Sequence, residues 1–208
     1  MHLDQARKQI RFVIFATLVV ILGCPLSAQV VPPIERSGLP IALGGGYASW
    51  DVDWAHGRMG GFALWADVHP PHLPHFLDGL DIEIEGRDVN MGQNMRPAGF
   101  RQITAGGGFV YHWRHFRNFQ PYAKGLKSFG RIDFGECLAQ CGTPHPYTYD
   151  TRAVYSPGGG FEYRAYRNVW FRSDYEYQFW PNLTGNTYLN PQGFTFGAMY
   201  DFAHRRPR

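Results

Sequence analysis

"FRSDYEYQF", residues 171–179, changes chemical character at every step. Phe171, Ser173, Tyr175, Tyr177 and Phe179 fall on one parity, and Arg172, Asp174, Glu176 and Gln178 on the other. A β-strand sends successive side chains to opposite faces, so the stretch predicts a strand with an aromatic face and a charged face. A sheet in water would bury the aromatic face and wet the charges. "LDIEIEGR", residues 80–87, is built the same way, with Leu80, Ile82 and Ile84 against Asp81, Glu83, Glu85 and Arg87. Which face is the core decides the fold.

Composition favours strands. The chain has 208 residues, enough for one domain with a sizeable core. Aromatics make up 16% of it, with 25 Gly and 15 Pro, and only 18% of residues are charged. The usual helix formers are scarce in such a mixture. The net charge of +3 is spread along the chain. The run His204-Arg205-Arg206-Pro207-Arg208 is too short to argue for nucleic acid, and a solvated tail accounts for it.

The N-terminus predicts export. Arg7, Lys8 and Arg11 precede the apolar run "FVIFATLVVILG" (Phe12 to Gly23), and "PLSAQ" follows, with a small-residue cleavage site after Ala28. The run is short for a bilayer span, which makes the segment a secretory signal peptide. Two other readings stay open: lipidation of Cys24 in "ILGC", which Pro25 disfavours, and an uncleaved anchor. With Cys24 removed, Cys137 and Cys141 in "ECLAQC" are the remaining pair. Two cysteines four apart in an oxidising compartment predict a small disulfide loop. Free thiols, or a metal site for which only His145 is close by, are the alternatives.

Alternating runs broken by Gly, Pro, Asn and Asp predict strands at about 40–51, 58–68, 80–88, 100–113, 119–133, 152–164, 169–180 and 193–202. Long connections follow the first, third, fifth and seventh strands, and "RHFRN" and "AYRN" follow the fourth and sixth. "HPPHLPHFLDG", after the second, breaks the short rule. Eight strands with long loops at one end describe an antiparallel up-and-down barrel of the outer-membrane type. The expected organisation is a signal peptide at 1–28, a linker at 29–39, a barrel at 40–202 and a basic tail at 203–208.

In lipid the faces invert. Phe171, Tyr175, Tyr177 and Phe179 would face acyl chains, and the charged parity would face the interior. Eight strands enclose a space that side chains just fill, and a buried charge without a partner costs several kcal/mol. The expected lumen network is Asp81, Glu83, Glu85, Lys124, Arg172, Asp174 and Glu176, with Arg152 and Arg164 as further candidate cations. "GGGYASW" (44–50), "GGGFVYHW" (106–113) and "GGGFEYRAY" (158–166) echo one another on the first, fourth and sixth strands. Neither GxGxxG nor GxxxxGK[ST] leading into a helix occurs. These glycines are expected to allow curvature and close packing, with neighbouring aromatics covering them.

"PYAKGLKSFGRIDF" (121–134), "YSPGGGFEYR" (155–164), "DYEYQFWP" (174–181) and "NPQGFTFGAMYDF" (190–202) together resemble the small outer-membrane β-barrel proteins with an OmpA-like or porin-like eight-stranded barrel. The resemblance spans most of the chain after the signal segment. It implies outer-membrane insertion with a filled lumen, and names no substrate. It also implies that "TFGAMYDF", through Thr195, Gly197, Tyr200 and Phe202, is a signal to barrel-assembly machinery. Two features depart from the pattern. Lys127 shares the parity of Ala123, Gly125 and Phe129, the lipid face, and six residues continue past Phe202.

Catalytic and metal-binding patterns are sparse. His69, His72 and His75 in "HPPHLPH" resemble a metal tract, but the prolines resist the helix that would align two of them; a stiff turn is the simpler account. His56 with Asp51 or Asp53, or His145 with Asp150, could imitate a membrane-hydrolase pair, yet no GxSxG or HExxH accompanies them. The expectation is a non-enzymatic barrel without metal or cofactor. Its partners are outer-membrane lipid and the assembly machinery, and its role is structural or in surface interaction. A narrow porin and a membrane hydrolase are the other classes. The ligand of the loops is not legible.

Overall fold

The computed structural model describes residues 40–53, 57–71, 73–91, 99–114, 118–135, 148–183 and 187–202. The segments 1–28, 29–39 and 203–208, with Cys24, His56, His72, Cys137, Cys141 and His145, lie outside the described residues.

Among the described residues ten strands follow one another: β1 (Ile41–Asp51), β2 (Arg58–Val68), β3 (Leu80–Asn90), β4 (Arg101–His112), β5 (Phe119–Asp133), β6 (Tyr149–Tyr166), β7 (Val169–Tyr177), β8 (Trp180–Leu183), β9 (Thr187–Leu189) and β10 (Gln192–Asp201). Eight close into a barrel in the order β1-β10-β7-β6-β5-β4-β3-β2, every neighbour antiparallel. The first and last strands meet along Ala42–Asp201 to Asp51–Gln192. Closure removes the exposed edges that an open sheet would leave.

The faces are inverted relative to a soluble barrel. On β3, Asp81, Glu83, Glu85 and Arg87 are buried, while Ile82 and Ile84 are exposed. Phe62, Leu64, Phe129 and Phe196 are exposed as well, by 74%, 69%, 73% and 55%. Large apolar side chains cover much of the outside, and most of the charged strand residues with inward parity are buried.

The triple glycines have a spatial cause. In each, the first and third residues point inward, on β1, β4 and β6, and β10 adds Gly193 and Gly197. The long inward side chains come from the strands between: Trp65 on β2, Glu83, Glu85 and Arg87 on β3, Lys124 on β5, and Arg172, Asp174 and Glu176 on β7. Small and large contributors therefore largely alternate around the ring, which is how a narrow barrel fits its interior. Indole rings occupy several glycine positions outright. A Cβ on Gly44 would meet Trp65 at 2.4 Å, one on Gly130 would meet Trp180 at 2.2 Å, and one on Gly193 would meet Trp50 at 2.6 Å.

Strand limits move by a few residues. β3 runs to Asn90 rather than 88, and β6 spans Tyr149–Tyr166 rather than 152–164. The expected seventh strand, 169–180, pairs with β10 only to Tyr177 and with β6 only to Glu176; one bridge, Tyr155–Phe179, prolongs it along β6. Trp180 then opens the hairpin β8–β9, inside what reads as loop in the sequence. The connection after β2, read as a proline-stiffened turn, includes a single 3-10 turn at His75–Leu77.

Candidate functional site

The barrel interior is the site, and it has three layers. At the end where β1 begins and β10 finishes, Asp81 lies between two imidazoles. His69 Nδ1 is 2.7 Å from it and His112 Nδ1 is 3.0 Å away. Arg114 reaches the same carboxylate at 3.2 Å. His112 Nε2 faces Glu162 at 3.3 Å, and His69 Nε2 faces Asp201 at 3.8 Å. A cavity of about 300 Å³ lies beside this cluster, lined by His69, Leu73, Asp78, Leu80, Asp81 and Arg114.

The middle layer is a closed ionic network. Lys124 Nζ lies 2.6 Å from Glu176, 2.9 Å from Glu85, 3.4 Å from Glu83 and 3.5 Å from Asp174. Arg172 donates to Glu83 at 2.6 Å, to Asp174 at 3.1 Å and to Asp67 at 3.4 Å. It also donates to the Tyr122 hydroxyl at 2.7 Å, which in turn donates to Asp174 at 2.8 Å. Arg87 pairs with Glu85 and, at 2.5 Å, with Glu176. Five carboxyl groups thus surround three cations, and each cation touches at least two of them. Rings confine the guanidinium groups: Arg87 lies 4.1 Å from the Trp50 centroid, and Arg172 between Trp65 at 5.0 Å and Tyr122 at 4.7 Å. Burial at this density is tolerable only because each charge has partners.

The third layer, towards the long loops, is apolar. Trp50, Met59, Met91, Phe100, Phe134, Trp180, Leu183 and Leu189 are all buried there. Phe100 and Phe134 stack tilted at 6.0 Å. Two amides join this layer to the network below: Gln102 donates to Gln178 at 2.6 Å, and Trp180 Nε1 donates to the same oxygen at 3.0 Å.

The structure brings together Glu83, Glu85, Lys124, Arg172, Asp174 and Glu176, and adds Arg87, Asp67 and Tyr122. Asp81 belongs instead to the histidine cluster. Arg152 and Arg164 do not join the carboxylate network. Arg152 is partly exposed and pairs with Asp150 at 3.1 Å, and Arg164 lies over Trp170 at 4.6 Å. Both sit near the ends of β6, beyond reach of the middle layer. Of the last-strand residues, Thr195 is buried and Gly197 lies against Trp65, while Tyr200 and Phe202 point outward. Asp67, His112, Glu162 and Asp201 were missed by the sequence reading. All have the inward parity of their strands, and His69 and Arg114 continue it just past a strand end. Among the described residues no group of three His, Cys, Asp or Glu side chains is arranged to hold a metal ion.

No family model and no curated protein sequence matches the chain. Solved structures do match, and they define the class: the fold is the closed eight-stranded antiparallel barrel of outer-membrane proteins. Neisserial surface protein A superimposes with a TM-score of 0.56 at 15% identity, over 78% of this chain and 96% of that one. Ail, the attachment invasion locus protein of Yersinia pestis, gives 0.51 at 15% identity over 77% and 96%. The outer membrane protein OprG of Pseudomonas aeruginosa gives 0.51 at 15% identity over 77% and 94%. At such identities the likeness is one of fold.

Proposed function

We propose that the chain is an exported outer-membrane barrel with a structural or surface-interaction role, whose lumen is closed to solutes and whose four long connections are displayed outside. One observation carries this reading: large apolar side chains cover the outside, and paired charges with packed tryptophans fill the inside. An exterior of that kind suits hydrocarbon, and an eight-stranded interior leaves no channel once filled. The similar structures are bacterial outer-membrane proteins, and one of them, Ail, was solved with the heparin analogue sucrose octasulfate. A display role for the loops of this chain accords with that. Export would use residues 1–28, insertion would use barrel-assembly machinery acting on the last strand, and Cys137 and Cys141 would bridge one outer loop.

Refolding of the chain from residue 29 into neutral phospholipid vesicles tests both halves. Insertion should give a folded band that shifts on boiling, and planar bilayers should show no conductance steps. Discrete steps would replace the closed barrel with a narrow channel, and absence of insertion would remove the membrane reading.

A further inference from the structure

The outer surface of β4, β5 and β6 carries an irregularity that lipid alone does not explain. Lys127 points outward from β5, with Gly125 and Phe129 beside it on the same strand and Gly107 and Tyr155 as its cross-strand partners. It is the fourth outward residue from the loop end of its strand. Among the described residues it is the only charge on the outward faces more than two outward positions from a strand end. Such a position in bare hydrocarbon is costly for an ammonium group.

Lys127 does not stand by itself. Arg131 shares its face four residues on, about 13 Å along the strand, a gap that two long side chains can close over Phe129. Each cation rests on a tyrosine: Lys127 Nζ is 5.9 Å from the Tyr155 ring centre, and Arg131 is 4.3 Å from that of Tyr149. A ring face orients a cation without neutralising it. Two carboxylates lie nearby, one engaged by another arginine and one a distant partner of Arg131. Asp88 is held by two hydrogen bonds from Arg101, and Asp133 approaches Arg131 only at 3.9 Å. Exposed Thr151, the cross-strand partner of Arg131, adds a hydroxyl donor to the two cations.

We propose that Lys127, Arg131 and Thr151 bind the phosphate of an anionic lipid headgroup at the loop-end membrane boundary, with Tyr149 and Tyr155 flanking it. Charge and place select this occupant. The donors face the surrounding lipid, and their surplus positive charge matches a phosphate, with each cation near an anionic surface contributing about fivefold in affinity.

The assignment rests on the membrane reading, so the test separates the two. The full chain after residue 28 is refolded into phosphatidylcholine vesicles with or without phosphatidylglycerol, and the lipid held at the protein surface is measured by electron spin resonance of labelled lipids. Wild type should prefer phosphatidylglycerol severalfold, Lys127→Gln and Arg131→Gln should each lose most of that preference, and Lys127→Arg should keep it. Equal lipid selectivity in wild type and both Gln variants overturns the site while leaving insertion intact. Displacement of the labelled lipid by inorganic phosphate in the buffer overturns the lipid assignment in favour of a soluble anion. Failure to insert into neutral vesicles sinks the membrane reading instead.

Discussion

Gly130 shows how little room the interior leaves. Its missing side chain is the seat of the Trp180 ring, with Val154 also in contact range. A methyl group there would have to move a buried indole, and overpacking of this kind costs about 1–3 kcal/mol. Gly130→Ala should therefore lower the urea midpoint in detergent. Combined with Trp180→Ala, which removes the obstructing ring, the glycine substitution should cost much less, and additive losses would show that the two residues do not share the space. Lys124 makes the opposite point, because its value lies in charge rather than volume. With four carboxylates within 3.5 Å, Lys124→Met leaves acids facing acids and should destabilise by about 3–5 kcal/mol. A change below about 1 kcal/mol in the same unfolding experiment would mean that water reaches the layer and screens it.

Among the elements, β10 combines two tasks. Phe194, Phe196, Tyr200 and Phe202 form its outward stripe, with Tyr200 and Phe202 edge to face at 4.8 Å, while Gly193 and Gly197 admit two tryptophans on the inside. Replacing both Tyr200 and Phe202 with Ala should reduce outer-membrane insertion in cells severalfold but cost only about 1 kcal/mol in detergent, since both are half exposed. Equal losses in the two assays would reduce the pair to packing. Removing residues 203–208 should maintain or increase insertion. Strands such as β3 and β7 were legible because period-two alternation survives inversion of the faces: "LDIEIEGR" and "FRSDYEYQF" read identically whichever side is wet. The hairpin β8–β9 was not, because Trp180, Leu183 and Leu189 are spaced by turn residues and only the barrel beneath supplies the cavity they enter. The histidine cluster was hidden for a different reason. Its members come from β3, β4, β6, β10 and the connections after β2 and β4, and no local pattern announces that Asp81 will meet His69 and His112.

For the molecule as a whole, the layers act in series. In the closed lumen proposed above, the apolar layer near the long loops and the ionic layer below it would each be enough to seal the barrel. Opening one should leave the other closed, so Trp180→Ala should insert normally and still show no conductance steps in planar bilayers. Steps from that single variant would mean that water already penetrates the charged layer. In the proposed closed barrel, stability and impermeability would draw on the same side chains, and strand alternation alone does not tell how the interior is divided between them.

The tryptophan sockets have one more consequence, in time rather than in space. Trp50 on β1 fits against Gly193 on β10, and Trp65 on β2 reaches both Gly44 on β1 and Gly197 on β10. Both indoles therefore lock the seam where the first and last strands meet, the most distant pairing in the barrel. That seam can form only after the intervening hairpins have found one another, because its closure entropy is the largest to overcome. Fluorescence from Trp50 and Trp65 should accordingly change last during refolding, so the molecule contains its own clock hand for the moment of closure.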